Sequence, residues 1–130
     1  MSKFKENLKF FAAVSVLCIV AVLSFDLISK AATGTYFNLN GETKYNASLG
    51  TTTGEAYAYN KSGQDRLAYI YLKQSSGALI ASNSKVVIAG ATLYVNADIT
   101  KYNTVYASCT VYNSGIYQSG IAETLRIQIR

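Results

Sequence analysis

The chain has 130 residues and a formal net charge of +5, with eleven tyrosines, two cysteines, and no histidine, proline or tryptophan. The length suits one small domain behind an export segment and is too short for two. The absence of histidine excludes Ser-His-Asp and Cys-His nucleophiles and the usual zinc sites, and the scattered lysines and arginines lack the clustered patch of a nucleic-acid binder.

Lys3, Lys5 and Lys9 make a positive start, and residues 10–25 run apolar except for Ser15 and Ser24. Asp26 ends the run, and Ser29-Lys30-Ala31 follows with small residues flanking the lysine. That order predicts a secretory signal peptide over residues 1–31, cleaved after Ala31. A retained anchor is the alternative, but a sixteen-residue helix spans only about 24 Å of a roughly 30 Å hydrocarbon core. Cleavage leaves a single secreted β domain over residues 32–130, so the expected localisation is extracellular, with membrane contact only during export. Eight cationic against five acidic side chains give that domain +3, a mild charge that suits solubility. Leu17 before Cys18 is not the small residue of a lipid-anchoring signal. Cys109 is then the domain's one cysteine, and alternation points it inward as a small hydrophobe.

From residue 32 onward no helical period persists, and two-residue alternation recurs between short polar breaks. Residues 36–39 and 44–49 flank Asn40-Gly41, which reads as a tight hairpin turn. Residues 50–54, two glycines around three threonines, read as a loop. Residues 55–60 and 67–73 read as a second hairpin across Gly63–Asp65, with Tyr59 opposite Tyr69 and Tyr57 opposite Tyr71. Residues 78–81 and 86–88 are two short apolar strands around residues 82–85. Residues 93–99, 105–112 and 124–129 alternate strictly and predict a C-terminal three-stranded meander. In its last hairpin Cys109 faces Leu125, Ala107 faces Ile127, Val105 faces Ile129, Thr110 faces Thr124 and Ser108 faces Arg126. The total is seven to nine strands, an all-β antiparallel sandwich, with a small barrel as second choice.

Chemistry is sparse. Glu42, Glu55 and Asp65 fall at or near predicted turns, Asp98 begins one, and alternation turns Glu123 toward the core or the sheet margin. No calcium loop or phosphate loop occurs, so no metal, cofactor or catalytic residue is expected. Asn46-Ala47-Ser48 and Asn60-Lys61-Ser62 fit the glycosylation sequon. What stands out is tyrosine. Tyr57, Tyr59, Tyr69 and Tyr71 are expected to cluster on one hairpin face, with Tyr94, Tyr106 and Tyr112 as a sparser second set. Such a cluster stiffens a hairpin or lies under the second sheet; left uncovered, it offers rigid contact area with hydroxyls at low entropic cost. The leading expectation is a non-enzymatic secreted binding module whose partner is a cell-wall glycan or another surface protein. A self-assembling surface subunit pairing through the strand at residues 35–39, and a small bacteriocin-like or membrane-active antagonist, are the alternatives.

Overall fold

The computed structural model describes residues 29–115 and 120–130, and every element in them is a β-strand. In chain order these are β1 (Ser29–Thr33), β2 (Phe37–Asn46), β3 (Thr51–Asn60), β4 (Arg66–Gln74), β5 (Leu79–Val87), β6 (Thr92–Asp98), β7 (Val105–Tyr112) and β8 (Ile121–Gln128). They form two antiparallel sheets, β1-β2-β3-β6 and β5-β4-β7-β8, packed as a sandwich. The chain changes sheet between β3 and β4, between β5 and β6, and again between β6 and β7.

Alternation explains the core. Phe37, Leu39, Ala56, Ala58, Leu93 and Val95 from the first sheet meet Ala68, Ile70, Leu72, Val105, Ala107, Cys109 and Val111 from the second. Each of the large aliphatic side chains contributes about 1.5–3 kcal/mol by leaving water. Cys109 is a buried free thiol, as its inward register requires, and burial pushes its pKa up to about 12. The β7–β8 register is the one read from the sequence: Cys109 pairs with Leu125, Ala107 with Ile127, Thr110 with Thr124 and Ser108 with Arg126.

Several other expectations are overturned. Asn40-Gly41 is not a turn; β2 runs straight through it. A Cβ on Gly41 would lie 2.5 Å from the Ile129 side chain, so glycine is there to let β8's end approach the first sheet. The hairpin turns instead around Gly50, at φ +63°, while Asn46 Oδ1 accepts the Ser48 and Leu49 amides. Residues 51–54 are strand, not loop, and Gly54 makes room for Ile99 and Ile129. Residues 79–87 form one continuous strand on the sheet edge, where a run of exposed polar residues is tolerated.

Two larger corrections concern pairing. β3 and β4 form no hairpin, because they belong to different sheets. Asn60 decides this. Its side chain is buried, donates to Gln64 O (2.7 Å) and Val87 O (2.9 Å), and accepts from Ser62 N (2.9 Å) and Ser62 Oγ (2.7 Å). The loop thus closes on Asn60 and turns the chain into the second sheet, and the second sequon has its asparagine inside the protein. Likewise the C-terminal meander does not form: β6 leaves for the first sheet and pairs with β3.

The strand around residues 35–39 is not an edge either, since β2 is flanked by β1 and β3. Residues 29–31, the end of the expected signal segment, pair in β1 with Glu42, Gly41 and Asn40. The rest of that segment, with Cys18, lies outside the described residues. At the corner between the sheets Glu123 reaches from β8 and accepts the backbone amides of Thr35, Tyr36 (3.1 Å) and Phe37 (3.0 Å). This is the inward acid that alternation indicated, and its role is to clamp the β1–β2 turn to the other sheet.

Candidate functional site

Alternation puts every tyrosine singled out in the sequence on one of the two outer faces, none beneath the opposite sheet. The expected four-ring cluster divides between those faces. Tyr57 and Tyr59 lie outside the first sheet, and Tyr69 and Tyr71 outside the second. Tyr94 joins the first pair, and Tyr106 and Tyr112 join the second.

The first face carries the denser chemistry. Glu55 and Tyr57 are two residues apart on β3 and therefore share a side of the sheet. The register places Glu42 of β2 opposite Glu55, and Tyr94 of β6 opposite Tyr57. Tyr57 Oη donates to Glu55 Oε2 at 2.7 Å, and Tyr94 Oη donates to Glu55 Oε1 at 3.1 Å. Lys44 Nζ, from the same side of β2, lies 3.0 Å from Glu55 Oε2 and 3.3 Å from Glu42 Oε1. Glu55 is 8% exposed, so one carboxylate close to the sheet collects two phenols and one ammonium.

The electrostatics follow from that geometry. Partial burial pushes the Glu55 carboxyl up, but its hydrogen bonds with Tyr57, Lys44, Glu42 and Tyr94 together outweigh it and hold the group at about 2. The same carboxylate, helped by burial, raises Tyr57 to about 12. Burial first, then the bond to Glu55, raises Tyr94. Lys44 is raised by its bonds to Glu55 and Glu42. At neutral pH the cluster is therefore an anion held among donors, with both phenols protonated.

Pinning the hydroxyls also sets the rings. Tyr57 and Tyr94 lie 4.9 Å apart between centroids, with their planes at 38°. Each is tied at both ends, by its Cα and by its hydroxyl, so neither ring must be ordered when something lands on it. Beside Tyr57, Asn40, Gly41 and Glu42 line a shallow depression of about 180 Å³. Asn40 and Asn96 are exposed around the pair. Aromatic surface from Tyr57 and polar groups from Asn40 and Glu42 thus border one depression.

The second face is different. Tyr69 stacks beside Tyr71 (6.2 Å, 13°) and meets Tyr112 edge-on (5.8 Å, 72°). Lys73 Nζ sits 4.8 Å from the Tyr71 ring centre, and the Arg126 guanidinium 4.0 Å from that of Tyr106. Burial and the neighbouring phenols Tyr112 and Tyr69 raise Tyr71.

Sequence reasoning singled out Tyr57 and Tyr94 but missed Glu42 and Glu55, which it placed at or near turns, and Lys44, which it read only as the start of a strand. The alternation Glu55-Ala56-Tyr57 already places acid and phenol on one side. What was not legible is that β2 and β6 flank β3. Among the described residues no group of three or more acids or cysteines could hold a metal ion. Compared with protein-family models, with curated proteins and with solved structures, the chain matches none.

Proposed function

We propose that this chain is a secreted, non-enzymatic binding module that takes a cell-surface glycan on the outer face of its first sheet. The observation that carries this reading is the Tyr57–Tyr94 pair with both hydroxyls fixed on Glu55. A rigid two-ring platform loses little entropy on binding, and rings of this kind serve recognition surfaces for that reason. Binding is favoured over turnover because Glu55 is ionised and already engaged by three donors, so it holds no proton to give a leaving group. Export is the reading of residues 1–31 and supplies the setting in which such a ligand is met.

The test is co-sedimentation of the purified protein with insoluble peptidoglycan, chitin, cellulose and whole cells, against a protein-alone tube. Selective pelleting with one material is expected. Tyr57→Ala and Tyr94→Ala should each weaken it about tenfold, the scale of an interface aromatic worth 1–2 kcal/mol. Unchanged pelleting by the folded double variant, or no pelleting with any material, refutes the reading.

A further inference from the structure

The two outer faces carry opposite charge. Outward positions of the first sheet hold Glu42, Glu55 and Asp98 against one cation, Lys44. Outward positions of the second sheet hold Lys73 and Arg126 and no carboxylate. Glu123, the acid that β8 does carry, is turned to the β1–β2 backbone instead. Among the described residues neither Lys73 nor Arg126 forms an ion pair; each rests on a tyrosine ring. Both faces are also tyrosine-bearing, and tyrosine and arginine are the residues that interface cores favour.

The sheet edges are poorly suited to pairing. β5 lies beside β6 at one side of the sandwich; at the other β1 lies beside β8, and cleavage after Ala31 would leave Ala32 and Thr33 of it paired with Leu39 and Asn38. Asn83 Nδ2, from β5, donates to Tyr94 O on β6 at 2.9 Å and occupies an acceptor that an added strand would use. The open surfaces are therefore faces rather than edges.

We propose that the acidic outer face of one copy binds the basic outer face of another. Because the two patches are different, the contact is head-to-tail, and it propagates into an open stack rather than closing as a dimer. Four strands about 4.8 Å apart and eight residues of about 3.3 Å each give a face of roughly 500 Å². That is below the roughly 800 Å² per partner of a standard stable interface, so the contact is weak, reversible and salt-sensitive. It does not depend on glycan binding, although a stacked copy covers Tyr57 and Tyr94 and so competes with a ligand there.

Analytical ultracentrifugation of the protein from 10 µM to 1 mM, in 10 mM and in 1 M salt, tests this. Species larger than dimer are expected to grow with concentration at low salt and to vanish at high salt. Lys73→Glu/Arg126→Glu makes both faces acidic, and Glu42→Lys/Asp98→Lys makes both basic; all four positions are surface sites, and circular dichroism checks the fold. Each double variant alone should lose every species above monomer, and an equimolar mixture should recover assembly. A monomeric wild type throughout, assembly that survives in either folded variant, or a mixture that stays monomeric overturns the proposal. Glycan pelleting by Lys73→Glu/Arg126→Glu keeps the two questions apart, because that variant retains the Tyr57–Tyr94 platform.

Discussion

Tyr57 and Tyr94 stand opposite each other on β3 and β6, and both end on the two oxygens of one carboxylate, Glu55. This makes Glu55 the residue whose charge state organises the outer face of the first sheet.

The folded Glu55 pKa of about 2 lies below its ordinary 4.5. A depressed carboxylate stabilises the fold fully above its unfolded pKa, and that contribution is lost as pH falls toward the folded value. Wild type should therefore lose stability between about pH 4.5 and pH 2 more steeply than Glu55→Gln. Urea unfolding midpoints measured across that range check it; parallel curves would refute the assignment.

Tyr57, raised to about 12 chiefly by its bond to Glu55, should resist ionisation up to that pH. In Glu55→Gln its titration should move back toward 10, which is the ordinary value. Selective labelling of the tyrosine ring carbons and NMR titration would follow this one phenol among the eleven.

Glu123 accepts three consecutive backbone amides, so Glu123→Ala leaves them without a charged partner at the joint between the sheets. Hydrogen bonds to a charged group contribute about 1.5–3 kcal/mol. A destabilisation of about 2–3 kcal/mol is expected in urea titration. Gly34→Ala should move in the same direction, because its Cβ would meet the Glu123 carboxylate at 2.3–2.5 Å.

Asn60→Ala removes two donated and two accepted bonds at the sheet-to-sheet crossover, in a residue with no exposure. A loss of about 2–4 kcal/mol is expected, from unsatisfied buried groups as well as missing bonds. A change below about 1 kcal/mol would mean that the loop finds other partners.

Gly41→Ala and Gly50→Ala separate the two places where the first hairpin could turn. At Gly41 a methyl group collides with Ile129 and Ile127, and overpacking of this kind costs about 1–3 kcal/mol. At Gly50 there is open space, and the penalty is that of a left-handed backbone, about 1 kcal/mol. The larger loss should fall at Gly41; the reverse order would restore the Asn40-Gly41 turn.

What the chain determines by itself is local. Period-two alternation is enough for an all-β fold, for the inward faces of β3, β4, β6, β7 and β8, for the buried Cys109, and for the β7–β8 register, where a slip of one residue would expose Leu125 and Ile127 together. Which strands become neighbours is another matter. Alternation is the same whether β3 pairs with β4 or with β2 and β6, and the choice rests on contacts far apart in sequence: Asn60 with Val87 O, Glu123 with the amides of Thr35 to Phe37, Gly41 and Gly54 with Ile129. The site depends on that choice. Glu42, Glu55 and Tyr94 come together only because the tertiary structure lays β2 and β6 on either side of β3, and the same arrangement sends Tyr69 and Tyr71 to the opposite face of the molecule.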